Sequence, residues 1–240
     1  MTGKSTFENG FFWNNYRSIE SDFIRFLEYV PYHKSNIKMY SPKLTGLLLQ
    51  IGGYIDSAFK EMVTYFNFRE VKIYKIKKDG SVTEKKPKTA KDIIDACCIF
   101  ESTYNLSSNN GGVLIAKLDF GDQELRPFEE LAGFIDSPKW WKAYNKVKHE
   151  YSLHYKKANL DSVLNGLAGA FLLNVIHYPG IKLLWKLGHL TTGFQAGKGF
   201  GELFLNEKQF DGYMERAIPE FESLNIGIRI ETPLFLYVHT

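Results

Sequence analysis

Asn145 and His149 stand four residues apart in the stretch KWWKAYNKVKHEYSLHYKK, and Lys142 and Lys146 fall at the same helical spacing. On an α-helix, side chains three and four apart lie one above the other on a single face. An imidazole with an unperturbed pKa of about 6.5 can take or give a proton near neutral pH. An asparagine amide can hydrogen-bond a phosphate oxygen or hold the imidazole in place, and a lysine supplies a cation. Metal-independent RNA cleavage needs little more. A base removes the 2′-hydroxyl proton, a cation stabilises the crowded phosphate, and a donor protonates the leaving 5′-oxygen. The bland alternative is a polar contact between Asn145 and His149 on a solvent-facing or interface surface.

Other chemistries find weaker support. His154 lies five residues after His149, not four, so the pair shares no good metal-binding face. His33, His177 and His189 are isolated and read as hydrogen-bonded structural residues. Neither a nucleophile elbow nor a metal-ligand set emerges, and no cofactor is called for. The glycine-rich GFQAGKGFG, from Gly193 to Gly201, has three residues between its first glycines, and Gly199 follows Lys198. A phosphate loop requires four, and a Ser or Thr after Gly-Lys. This stretch therefore reads as an ordinary loop. Trp140, Trp141, Tyr151 and Tyr155 offer rings on which bases could stack, but their helical spacing favours packing in a core or dimer interface. The basic run Lys85–Lys91 reads first as a solvated face and second as a phosphate contact.

The elements that must position Asn145 and His149 are helical. Ser137 is a natural N-cap with Pro138 at the first helical position, and the spacing predicts one helix running on to about Lys156. Trp140, Tyr144, Val147, Tyr151 and Tyr155 form its inward stripe, and Lys142, Asn145, Lys146, His149, Ser152 and Lys156 its polar face. Asn159 caps a more apolar helix whose Gly166, Ala168, Gly169 and Ala170 allow close helix contact. Residues 11–30 form an amphipathic helix stopped by Pro31, and Ser41-Pro42 opens another over Lys43–Phe66, with Gly52-Gly53 in its middle.

Between 70 and 135 the pattern turns to strands: a hairpin around Asp79-Gly80, a short helix Ala90–Phe100, and a strand Val113–Asp119. This block reads as an insertion with structure of its own, replaceable by a short linker. Beyond the bundle, Ile181–Leu190 is amphipathic and ends near Gly188 or Gly193, and Glu207–Glu222 is helical. The tail alternates Ile226, Ile228 and Ile230 as a strand, with Pro233 marking an edge or a break.

Asn145-Lys146-Val147-Lys148-His149, with an aromatic-rich helix before it and ANLDSVLNGLAGAFLL after it, resembles the signature of HEPN domains (higher eukaryotes and prokaryotes nucleotide-binding). That motif is an arginine, usually a polar residue next, three variable residues and a histidine. Asn145 fits the polar position and His149 the histidine; the arginine position falls on Tyr144, a departure from the pattern. The resemblance spans roughly residues 11–66 and 137–177. It implies a mainly α fold: a HEPN-like bundle (11–66 and 137–190), the small α/β insertion (70–135), and a C-terminal extension (191–240) ending in a strand, all in one domain. The activity implied is RNA binding or metal-independent RNA cleavage, with His149, Asn145, Lys146 and Lys142 as catalytic candidates. Lys148, Lys156 and Tyr144 are the candidate RNA contacts. A lysine would replace the missing arginine as cation, without its planar fork. The implied partners are RNA, a second copy in a homodimer, and an antitoxin or other partner protein, in toxin–antitoxin or phage-defence settings. The alternative is a non-catalytic HEPN-like module that binds a protein, nucleotide or RNA.

Composition fits these expectations without deciding between them. At 240 residues the chain can bury a sizeable core as one domain. Its 30 basic and 27 acidic residues give a formal +3, so an RNA argument rests on local clustering. Cys97 and Cys98 are adjacent and poor partners for each other, which implies no disulfide framework. With no apolar leader and no run of eighteen apolar residues, the expectation is a cytoplasmic protein without a membrane segment.

Overall fold

The computed structural model describes residues 6–66, 73–76, 81–85, 101, 107, 113–115, 124–134, 137–194 and 226–239. The protein is mainly α-helical. Helices α1 (Phe11–Leu27) and α2 (Pro42–Phe66) precede strands β1 (Ile73–Ile76), β2 (Val82–Lys85), β3 (Val113–Ile115) and β4 (Glu124–Leu125). Then come α3 (Lys139–His149), the single turn α4 (Tyr151–His154), α5 (Leu160–Ile176) and α6 (Tyr178–Lys186). Strands β5 (Leu190–Phe194), β6 (Ile226–Glu231) and β7 (Phe235–His239) follow. The expected helices at 90–100 and 207–222, and most of the glycine-rich loop, lie outside the described residues.

Helix α5 is the axis of the molecule. All its residues except Asp161, Ser162 and Asn165 are buried, as expected of a helix apolar around its whole circumference. It contacts α1, α2, α3, α6 and β7. Its start matches the sequence expectation: the Asn159 side chain accepts a hydrogen bond from the Ser162 N–H at 3.0 Å. Ser41 caps α2 in the same way, with its Oγ accepting from the Leu44 N–H at 3.2 Å. At α3 the cap position is instead Pro138, and no side chain caps the helix. Small residues let the helices close in. A Cβ on Gly166 would stand 3.1 Å from Ile51 Cγ2 on α2, and one on Gly52 would stand 2.3 Å from the Tyr144 ring on α3. One buried polar side chain on α5 is satisfied locally: the Asn174 amide donates to Tyr54 Oη at 2.6 Å and to the Ala170 carbonyl at 2.9 Å.

The strands are joined more closely to this bundle than an insertion and a tail would be. β4, β3, β7, β6 and β5, in that order, form one antiparallel sheet. β3 pairs with β7 through Leu114–Leu236 and Ile115–Phe235. β4 and the stretch after it then enter the core, where Leu125, Phe128 and Leu131 are buried. The Trp140 indole N–H binds the Pro127 carbonyl at 2.7 Å. Phe235 stacks on Phe171 of α5 with ring centres 5.6 Å apart. A linker replacing residues 70–135 would therefore strip a neighbour from β7 and side chains from the core. The separate hairpin β1–β2 pairs as the Asp-Gly signal suggests. Pro233 marks a break, not an edge: β6 lies between β5 and β7, and residues 232–234 form the turn.

That turn is anchored by Glu20, a carboxylate only 1% exposed on α1. It accepts from the Tyr16 hydroxyl at 2.9 Å, from the Leu234 N–H at 3.3 Å, and from the Thr232 hydroxyl. Arg17 Nη1 lies 2.5 Å from its other oxygen. Burial, with the Glu20 charge beside it, pushes the Tyr16 phenol well above its usual range. A buried carboxylate is tolerated because a cation and several donors compensate for its lost water. Removing the carboxylate leaves those donors unsatisfied, so Glu20→Ala is expected to cost about 3–5 kcal/mol, with Glu20→Gln costing less. Urea unfolding monitored by circular dichroism checks both.

His177 sits at the α5–α6 junction, 0% exposed, with its ring edge-on to Phe7 at 4.6 Å. Burial lowers its pKa to about 3. The unfolded chain thus binds a proton near pH 6.5 that the folded chain refuses. The stability from a neutral His177 is complete above pH 6.5 and is lost as the pH falls toward 3. Wild type is expected to lose about 2 kcal/mol more than His177→Gln between pH 7 and pH 5. Parallel denaturation curves at the two pH values measure this, and an unchanged difference between the proteins would refute it.

Candidate functional site

Helix α3 presents two opposed faces. Trp140, Trp141, Ala143, Tyr144 and Val147 are buried against the bundle. At about 100° per residue, Lys142, Asn145, Lys146 and His149 fall within about 100° of one another on the opposite side. Lys142 and Asn145 are half-buried near its base, whereas Lys146 and His149 are exposed at its C-terminal end. The four candidate catalytic side chains thus lie along one side of the helix, two of them half-buried and two exposed. Lys146, Lys148 and His149 also make the last turn basic, which complements the negative end of the helix dipole and is a structural use for these residues.

The remaining candidates lie elsewhere. Lys148 leans the other way, with its ammonium 5.3 Å from the Tyr144 ring centre. Tyr144 itself is only 4% exposed, with its ring against Gly52 and 4.8 Å from that of Trp141. A base cannot stack on a ring enclosed in this way. Lys156 is absent from the α3 face because the helix stops at Glu150, whose backbone (φ −139°, ψ 59°) leaves the helical region. The chain restarts as α4 and a 3-10 turn over Tyr155–Lys157.

This break overturns one expectation of the continuous periodicity. Tyr151 and Tyr155 do not extend the buried stripe of Trp140, Tyr144 and Val147; they are 50% and 36% exposed. Tyr40 joins them from the segment before α2, 43% exposed. The Tyr40 and Tyr155 rings meet edge to face at 5.3 Å, and Tyr151 lies 6.3 Å from Tyr155. The Lys156 ammonium lies over both of these rings, 5.7 Å from the centre of Tyr40 and 5.9 Å from that of Tyr155. An antiparallel bridge between Tyr40 and Asn159 holds the segments together. The Leu160 N–H bonds the Met39 carbonyl, and the Asp161 N–H bonds the Ile37 carbonyl. No local pattern links Tyr40 to Tyr155, so this cluster was invisible to spacing.

Charge concentrates along the same segment. Between 142 and 157 there are five lysines and a single acidic residue, Glu150. The Glu150 carboxylate is engaged by His154 at 3.2 Å. At the other end of α3 lies a cavity of about 150 Å³ whose lining includes Arg126, Glu129, Glu130, Lys139 and Asp161. Both of its basic side chains are paired with carboxylates. Lys139 reaches Glu130 at 2.9 Å and Glu129 at 3.5 Å, and Arg126 reaches Glu124 at 2.7 Å. The Glu130 carboxylate beside Lys139 raises that ammonium's pKa. The cavity lies roughly 15 Å along α3 from His149 and takes no part in the lysine–histidine face.

Among the described residues, no group of three His, Cys, Asp or Glu side chains is placed to hold a metal ion. Among the same residues, no single helix is long and apolar enough to cross a membrane. No protein-family model, curated protein or solved structure matches the chain.

Proposed function

We propose that this chain is a HEPN-like RNA-processing protein, a metal-independent endoribonuclease acting as a homodimer in a toxin or phage-defence system. The observation that carries this reading is the placement of Lys142, Asn145, Lys146 and His149 along one side of α3. The lysine-rich character of residues 142–157 adds the attraction that a phosphate backbone requires.

On this reading His149 takes the proton from a ribose 2′-hydroxyl. The freed oxygen bonds the adjacent phosphorus as the bond from phosphorus to the 5′-oxygen breaks. The leaving oxygen collects a proton from a second imidazole, and the products are a cyclic phosphate and a 5′-hydroxyl end. Lys142 and Lys146 stabilise the phosphate charge, and Asn145 orients the imidazole or the phosphate. One histidine on an open surface cannot serve both sides of the phosphate at once. A second copy facing the first would supply the other imidazole and close a cleft, and a two-fold pair is the simplest closed assembly.

One observation favours the second reading, a non-catalytic HEPN-like module that binds RNA, a nucleotide or a partner protein such as an antitoxin. The motif's arginine position is Tyr144, and that site is enclosed against Gly52. An arginine there would have to bury its charge, so this position serves packing.

His149→Ala should lower chelator-resistant cleavage of single-stranded RNA by about a hundred- to ten-thousand-fold. Its exposed side chain should leave thermal unfolding unchanged. Lys142→Ala and Lys146→Ala then divide the phosphate role. Wild-type protein that cleaves no RNA, or a His149→Ala variant that cleaves normally, removes the enzyme and leaves the binding module. Light scattering is expected to give about twice the 27.7 kDa chain mass, and a monomer at high micromolar concentration would refute the paired site.

A further inference from the structure

Tyr40, Tyr151 and Tyr155 are large rings left open to solvent in mutual contact, whereas the other rings of the α3 segment, Trp140, Trp141 and Tyr144, are buried. Single exposed apolar side chains are ordinary, but a contiguous patch of them signals a contact surface. The patch is also basic. The Lys156 ammonium lies over two of the rings, and the exposed Lys38 and Lys157 stand within two residues of Tyr40 and Tyr155 in the chain. We infer that Tyr40, Tyr151 and Tyr155, with Lys156 among them, form a stacking platform for the unpaired bases of single-stranded RNA.

This inference rests on the RNA reading given above and adds the place where the strand is held. Every base has a π-face, so exposed aromatic rings hold single strands without needing a particular sequence, while cations track the phosphates. A protein partner fits the patch less well, because lysine is depleted from the cores of protein–protein interfaces. The platform is also preformed. Backbone hydrogen bonds from Leu160 to Met39 and from Asp161 to Ile37 fix the segment carrying Tyr40 against the start of α5. Little ordering is then left for binding to impose. Tyr151 follows His149 by two residues, across the break at Glu150. A strand stacked on the rings therefore continues toward the lysine–histidine face.

The test is fluorescence anisotropy of the full chain with a labelled oligouridine of about 12 nucleotides, beside a duplex RNA of equal length. Tyr40→Ala and Tyr155→Ala are each expected to weaken oligouridine binding roughly 5- to 100-fold. Tyr40→Phe and Tyr155→Phe should bind within about two-fold of wild type, because the ring face is kept. Lys156→Gln should lower the slope of log affinity against log salt by about 0.7. Circular dichroism and thermal melts confirm that the variants fold, and the Phe variants guard against loss of packing at the Tyr40–Tyr155 contact. Alanine variants that bind like wild type overturn the platform, as do Phe variants that lose as much as the Ala ones, or duplex preferred to single strand. If wild type cleaves RNA while the Ala variants bind normally, the platform alone is wrong. If wild type binds oligouridine through these tyrosines but cleaves nothing, the platform stands and the enzyme reading fails. Wild type that binds no RNA removes both.

Discussion

Helix α5 has no face it can show to water, and the rest of the molecule answers that constraint. A 17-residue helix with three part-exposed polar positions near its start needs neighbours on every side. α1, α2, α3 and α6 cover most of it, and β7 adds cover through Phe235 on Phe171. Close cover requires small side chains at the crossing points. Ile51 and Trp140 approach where Gly166 has no Cβ, and Tyr144 approaches α2 where Gly52 has none. Packing at this density makes even a methyl group costly, which is how a buried helix dictates side chains on elements far away in the chain.

The same constraint fixes what α3 can offer to solvent. Its inner face is spent on two tryptophans, Tyr144 and Val147, so Lys142, Asn145, Lys146 and His149 are turned outward together. The enclosed Tyr144 and the open His149 are two consequences of one packing geometry. Packing claims Tyr144 as a core residue and leaves His149 exposed. At Glu150 the helix breaks, and the aromatic residues beyond it are released from the core onto the surface beside Lys156. Two neighbouring surfaces of different character result, one carrying a titratable ring and cations, the other carrying exposed rings and a cation.

The polar interior is organised by a second long-range tie. Glu20 on α1 gathers Tyr16, Arg17, Thr232 and the Leu234 N–H, and so binds the β6–β7 turn to the first helix. Beyond that turn β7 pairs with β3, so β3 and β4, from the chain between α2 and α3, share its sheet, while β1 and β2 pair apart from it. β3 and β4 are thus tied through one sheet to the C-terminal strands.

Local physics made much of the helical frame legible. Ser41 and Asn159 were readable as caps, because a short polar side chain before an apolar run has one evident use at a helix start. Helix α1 was legible by periodicity, but the helix expected over Ile181–Leu190 runs instead from Tyr178 to Lys186, and Leu190 opens β5. Of its two expected stops, Gly188, whose φ of 71° suits a residue without a Cβ, lies just past its end. The pairing of Asn145 with His149 on one face follows from helical pitch alone. Periodicity failed at Glu150, where an unbroken three–four spacing continued across a break made by the backbone, and so Tyr151 and Tyr155 were assigned to the wrong environment. The Tyr40–Tyr155 contact, the Glu20 anchor and the β3–β7 pairing join residues distant in sequence, and no short-range pattern encodes which distant partner a side chain meets. Residues within two turns of one another carry enough information to place α1, α2, α5 and the body of α3, and to separate the buried from the polar face of α1 and α3. Where α3 ends, which polar residues are buried, which rings are left open and which strands meet are set by how distant surfaces fit around α5.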